Sequence, residues 1–159
     1  LTDNGLEIKK KTDGTPVLKK RICGNRFEGT NIYKRGEYYY LFASIGTCCN
    51  GATSTYQTVV GRSKNVLGPY LDKTGRDMLY DYCEIIMSGN ETWAGPGHNS
   101  ILIQDDVGTD WIIYHGYKKK EAENGRYVLM DKLIWSNDGW PSVKSNAPSI
   151  LEVAPYFQK

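Results

Sequence analysis

The run Tyr38-Tyr39-Tyr40-Leu41-Phe42-Ala43 restricts the fold more than any other part of the chain. Read with the period of a strand, one face carries Tyr38, Tyr40 and Phe42 and the other carries Tyr39, Leu41 and Ala43, so both faces must be covered. A shorter strand, residues 30–34, precedes it across the turn Arg35-Gly36-Glu37. Hairpins buried on both faces require sheets stacked on sheets, and small four-stranded units repeated along a chain point to an all-β fold of β-propeller type.

A second segment repeats this grammar. Gly97-His98-Asn99-Ser100-Ile101-Leu102-Ile103 leads through the turn Gln104-Asp105-Asp106-Val107-Gly108 into Asp110-Trp111-Ile112-Ile113-Tyr114-His115. Setting Gly36 over Gly108 aligns the two aromatic strands, gives a period of about 70 residues, and places Glu28 opposite His98. The first unit is expected to have strands at 30–34, 38–45 and 55–62 and a short one near 70. The second is expected to have them at 98–104, 110–117, 126–135 and about 140–144.

The implied organisation has five parts. Residues 1–26 are the outer strands and linker of a preceding, truncated blade, with segments around Gly5-Leu6-Glu7-Ile8 and Pro16-Val17-Leu18. Residues 27–75 form a blade carrying Glu28, 76–97 a connector, 98–147 a blade carrying His98, and 148–159 a C-terminal tail that pairs with a strand from elsewhere. This is about two and a half blades, too few to close a ring of four to eight. The chain is therefore expected to be a piece of a larger fold, and its opening on Leu1 rather than Met fits an absent N-terminal portion.

Composition excludes several classes. A chain of 159 residues with 40% hydrophobic residues is one domain's worth and holds a real core. The net charge of +2 and the short runs Lys9-Lys10-Lys11, Lys19-Lys20-Arg21 and Lys118-Lys119-Lys120 read as solvated edges, without the basic stripe interleaved with aromatics that nucleic acid requires. No apolar run approaches the ~18 residues of a membrane span. The 4 cysteines, Cys23, Cys48, Cys49 and Cys83, lack the paired spacing of a zinc site. Adjacent Cys48 and Cys49 either form a vicinal disulfide or pack as small apolar groups, and the second is the expectation.

In a propeller the innermost strand of each blade lines a central channel, so residues at the entrances of equivalent strands converge at one end of the axis. The repeat register thus makes Glu28 and His98 neighbours across a pocket. His115 ends an interior strand and is expected to be structural, and Trp111, Trp135 and Trp140 are expected to pack between strands.

Phe27-Glu28-Gly29, the tyrosine-rich strand, Thr47-Cys48-Cys49-Asn50-Gly51, Ser54-Thr55-Tyr56, Val60-Gly61-Arg62-Ser63, Gly68-Pro69-Tyr70, Gly95-Pro96-Gly97-His98-Asn99-Ser100 and Asp138-Gly139-Trp140-Pro141 form an ordered series. That series resembles the C-terminal half of glycoside hydrolase family 43, and its arrangement is most similar to the family's endo-acting arabinanases. The resemblance implies a five-bladed propeller that hydrolyses arabinan or related pentose polymers with inversion. Such chemistry needs an acid to protonate the leaving oxygen and a carboxylate to activate water, ~6.5–9.5 Å apart. Glu28 matches the general acid, which must keep its proton in a partly apolar pocket or beside a negative charge. The general-base aspartate and a third carboxylate belong to earlier blades and have no counterpart among Asp3 or Asp13, so the chain alone is expected to be inactive.

The resemblance also assigns His98 to a central metal ion, often calcium, held largely through water, since neutral imidazole is a poor direct ligand for a hard cation. It assigns Arg126 to sugar hydroxyls and Thr47, Cys48, Cys49 and Asn50 to the pocket wall. Trp93 is a candidate for stacking on a pentose ring. The implied partners are a pentose polysaccharide or oligosaccharide and the missing N-terminal blades; the implied location is secreted or periplasmic. The alternatives are a β-xylosidase or arabinofuranosidase, a non-catalytic carbohydrate-binding propeller fragment, or a scaffold held by a partner chain.

Overall fold

The computed structural model describes residues 6–17 and 20–158. Its first sheet is antiparallel, in the order β1 (Glu28–Arg35), β2 (Tyr38–Ile45), β3 (Gln57–Ser63) and β4 (Glu84–Met87). The β1–β2 turn brings Arg35 opposite Tyr38, leaving Gly36 and Glu37 between them. Gly36 has φ +57°, the left-handed conformation that the first residue of such a two-residue loop adopts cheaply only as glycine.

The second sheet contains β5 (Trp93–Gly97), β6 (Ile103–Gln104), β7 (Asp110–Lys118) and β8 (Arg126–Lys132). Trp111 of β7 pairs with Ile103 on one side and Lys132 on the other, so β6 and β8 lie on opposite edges of β7. Both β5 and β6 pair with β7, so they are two halves of one strand interrupted after Gly97. Beyond Leu133, β9 (Ile134–Trp135) continues the line of β8 and pairs with β10 (Pro141–Ser142). The all-β, antiparallel expectation holds.

Two clusters of apolar side chains explain why the chain stacks this way. Tyr40, Phe42, Val60, Ile86 and Met87 of the first sheet pack against Leu102, Ile112, Tyr114, Leu133 and Trp140 of the second unit. The opposite face of β2 and β3, with Leu41, Ala43, Ile45 and Val59, is covered by Phe27, Tyr70 and Met78. The period-two reading of residues 38–43 thus identifies both buried faces. Fully burying each such large side chain contributes roughly 1.5–3 kcal/mol. Trp111 and Trp140 are buried in this packing, and Trp135 lies against it.

The boundaries differ in three places. The fourth strand of the first unit is β4, within the stretch expected to be a connector, and not near residue 70. Leu71 makes only isolated bridges to Arg62 and Asp77, because residues 72–76 turn tightly around the Asp72 carboxylate. The second sheet begins at Trp93 rather than 98, since Trp93 and Ala94 pair with Lys118 and Tyr117. Near the N-terminus the expected outer strands are reduced to a Lys10–Pro16 bridge closing a turn; Gly5, Leu18 and Lys19 lie outside the described residues. Among the described residues the tail forms no strand. It is tied down locally, where Asn90 Nδ2 donates to the Pro148 carbonyl and Asp106 N–H to that of Tyr156.

One buried carboxylate joins the two sheets. Asp110, at the start of β7, accepts from the Tyr33 hydroxyl at 2.8 Å, Gln104 Nε2 at 3.0 Å and Trp135 Nε1 at 2.7 Å, and lies 3.5 Å from Arg35 Nε. Tyr33 and Arg35 belong to β1, so this carboxylate holds the first sheet on the second. Burial, followed by the bond to Asp110, pushes the Tyr33 phenol up to about 12.

Two more carboxylates organise turns. Burial pushes Asp72 and Asp105 up, but hydrogen bonds outweigh it. They come from Arg76 and Thr74 at Asp72, and from Trp111 and the Thr109, Tyr156 and Val107 amides at Asp105. Both carboxyls are held below the ordinary 3.8. A depressed folded value contributes stability that is complete above the unfolded value and is lost as pH falls through the folded one. The unfolding midpoint in urea is therefore expected to fall as pH is lowered below about 4, and Asp105→Asn is expected to flatten that dependence.

Candidate functional site

The residues singled out in the two units meet at the end of β1 remote from the Gly36 turn. Glu28 opens β1, and its register partner on β2 is Ser44. The ladder then slips between Glu28 and Asn31, an irregularity that frees the start of the strand from regular pairing. From the second sheet, His98 follows Gly97 at the break between β5 and β6. Its backbone N–H donates to Ser44 Oγ at 2.7 Å, and its φ of +51° lies in the left-handed region that a non-glycine residue adopts at a cost. A Cβ added to Gly29 would stand 3.0 Å from the His98 ring, so that ring lies directly on the backbone beside Glu28. The structure thus brings Glu28 and His98 together, as the repeat register implies.

Three further residues complete the cluster, none of them selected from the sequence. The Tyr56 hydroxyl donates to Glu28 Oε2 at 3.0 Å. The Tyr56 ring stacks on His115 with centroids 5.9 Å apart, and His115 stacks on His98 at 6.1 Å. Ser44, fully buried, receives the His98 amide and lies next to Tyr56. His115, for which a structural role is expected, has its ring between Tyr56 and His98, with Nε2 3.5 Å from Arg126 Nη1. Its period-two position on β7 conveys only a face; the partners come from the residue just before β3 and from the β5–β6 break. Burial first, then the Arg126 charge and His98, hold the His115 imidazole below its usual range, which favours the neutral ring. Burial, then the bond to Glu28, pushes the Tyr56 phenol up to about 12, so it keeps the proton it donates.

The loop of residues 46–55 leaves β2 just after Ser44 and returns just before Tyr56, so it stands beside Glu28. It is closed by the Thr47 N–H donating to Thr55 Oγ1 at 3.1 Å and the Asn50 N–H to Ser54 Oγ at 2.9 Å. Cys48 and Cys49 within it are joined as a vicinal disulfide, which corrects the expectation of two packed thiols. Adjacent residues forming such a bond cannot be read from spacing, because the alternative costs nothing in local pattern. Cys23 and Cys83 are free and pack at the edge of the second cluster.

Across from this loop, the helical turn Lys119–Asn124 comes within 3.6 Å of a Cβ placed on Gly51, measured to Ala122, and leads directly into Arg126. Arg126 begins β8, opposite Tyr117. Trp93 sits on β5 with its ring edge against Tyr127, at 5.9 Å, and is half-buried. Its indole N–H has no hydrogen-bond partner among the described residues.

A cavity of about 470 Å³ lies elsewhere, at the Tyr38 end of the first sheet. Arg62 there stacks between Tyr38 and Trp140, while Lys64 pairs with Glu37 and Asp72 with Arg76. It contains none of the candidate residues.

An extracellular exo-α-(1→5)-L-arabinofuranosidase of Cellvibrio japonicus is 45% identical over 118 residues, covering 74% of this chain and 33% of its own length. An extracellular endo-α-(1→5)-L-arabinanase of Bacillus subtilis is 41% identical over 120 residues, covering 75% and 35%. The chain therefore spans about a third of the curated relatives it matches. Among solved structures, the α-L-arabinanase of Cellvibrio cellulosa complexed with arabinohexaose superposes with TM-score 0.70 at 44% identity, over 76% of this chain and 37% of that one. A Bacillus licheniformis endo-arabinanase superposes with TM-score 0.71 at 33% identity, over 85% and 47%. The family model of the glycosyl hydrolases family 43 matches residues 2–141, a span that includes both sheets and the Glu28–His98 cluster, and the chain belongs to that family.

Proposed function

We propose that this chain is the C-terminal portion of an inverting glycoside hydrolase acting on arabinan, to which it supplies the general acid, Glu28. The single observation that carries the reading is the meeting of Glu28 from one sheet with His98 and the Arg126-bearing strand of the other. Identity above 40% to two α-1,5-arabinan-cleaving enzymes supports arabinan over xylan. In this reading the two sheets are blades of a five-bladed propeller whose other blades carry the base.

During hydrolysis the anomeric C–O bond breaks and the Glu28 carboxyl proton passes to the departing oxygen. A water oxygen bonds to the anomeric carbon from the opposite face, giving its proton to an aspartate of another blade. Arg126 offers a guanidinium fork to adjacent hydroxyls, and Thr47 to Asn50 form the wall of the sugar-binding cleft. Trp93 belongs to the same cleft as an aromatic platform for a pentose. That two relatives are named extracellular supports a location of the complete protein outside the cell.

Calcium does not fit as a directly coordinated ion on the residues present. The described residues hold no group of three carboxylate, imidazole or thiolate side chains that could bind a metal, and His98 offers a single imidazole nitrogen where calcium takes oxygen ligands. Any such ion would be held beside His98 through water and the other blades.

Mixing the chain with separately produced N-terminal blades is expected to restore release of arabino-oligosaccharides from debranched arabinan, measured as reducing ends, while each part alone gives background. Tight binding of arabino-oligosaccharides by the reconstituted protein with no product would instead make it a carbohydrate-binding propeller.

A further inference from the structure

We propose that Tyr56 is the positioning residue of the Glu28 acid: its hydroxyl, held over the Gly97–His115 pair, engages one carboxyl oxygen and leaves the other to carry the transferable proton. The inference rests on the reading of Glu28 as the proton donor and adds what aims it. Glu28 is otherwise an exposed side chain at a strand end, free to rotate. A general acid is effective only within hydrogen-bond reach of the leaving oxygen, so something must fix its carboxyl plane.

Tyr56 is built for that task. A Cβ on Gly97 would fall 2.4 Å from Tyr56 Cδ1 and one on Gly95 2.6 Å from Ser54 Cβ, distances no side chain tolerates, so both glycines are needed for the Tyr56 segment to approach β5. Gly97 and His115 are cross-strand partners, and His115 lies against the Tyr56 ring with planes 16° apart. The ring is fully buried while its hydroxyl reaches the surface carboxylate. With the Tyr56 hydroxyl donating to Oε2, that oxygen is the acceptor and the acid proton sits on Oε1. The glycines of the Gly95-Pro96-Gly97-His98 motif thus acquire a mechanical reason: they admit the residue that aims the acid.

The test uses the complete enzyme, intact or reconstituted, with two substrates: arabinan, whose leaving alcohol must be protonated, and a dinitrophenyl arabinofuranoside, whose leaving group departs without a proton. Tyr56→Phe keeps the ring and its packing and removes only the hydroxyl. On arabinan its kcat is expected to fall roughly tenfold to a hundredfold with KM within about twofold, while turnover of the activated substrate stays within about threefold. Glu28→Gln, run beside it, is expected to show the same substrate contrast more strongly. A Tyr56→Phe enzyme with unchanged arabinan kcat, or with equal losses on both substrates, overturns the positioning role while Glu28 keeps its own. A Glu28→Gln enzyme that still cleaves arabinan at the wild-type rate overturns the underlying reading as well.

Discussion

Glu28→Gln is expected to lower arabinan hydrolysis by the reconstituted enzyme about 10²–10⁴-fold, the usual contribution of a general acid. Glutamine preserves the acceptor for the Tyr56 hydroxyl and the size of the side chain, so the loss isolates the proton. Glu28 lies on the surface at the start of β1, and its side chain belongs to neither apolar cluster, so the unfolding midpoint is expected to stay unchanged. The informative measurement is therefore the pair of kcat and chemical denaturation on one preparation. A large loss of kcat with an intact fold assigns the chemistry to this carboxyl; equal losses in both quantities would make Glu28 a structural residue.

Asp110→Ala is expected to have the largest effect on stability. The carboxylate is buried, at 3% exposure, and is shared by Tyr33, Gln104, Trp135 and Arg35. Its removal leaves three donors without their acceptor between the sheets, and breaking such a buried network costs about 3–5 kcal/mol. At the size of this chain that corresponds to a fall of about 10 °C in Tm. Asp110→Asn keeps one acceptor oxygen and is expected to lose roughly half as much. Unfolding of both variants in urea checks the order; an alanine variant as stable as the parent would show that the sheets are held by apolar packing alone.

These two residues illustrate how differently the chain's features could be read beforehand. Residues 38–43 announce a strand covered on both faces because side-chain direction alternates strictly along a strand, and the two apolar clusters divide those residues along that alternation. The meeting of Glu28 and His98 was legible because two segments with the same turn-and-strand pattern put their first residues at the same end. Asp110 offered no such signal: its position in a turn-to-strand junction reads as ordinary capping, and its partners lie as far away as Tyr33.

The strand Glu84–Met87 leaves no legible signal for a related reason. Four residues with only Ile86 and Met87 buried do not show a period, and the pairing with β3 is made across the intervening residues 64–83.

The amino-acid sequence by itself determined the strands with strong alternation, the repeat of the two units and the pairing of Glu28 with His98, since each follows from local pattern and register. Only the tertiary structure decided that Tyr56, Ser44 and His115 surround that pair, that Cys48 and Cys49 are bonded, and that Asp110 ties the sheets. Those outcomes depend on which side chains from distant segments arrive at the same point. That is settled by packing in three dimensions and by the close approach that residues such as Gly97 permit, neither of which leaves a periodic trace along the chain.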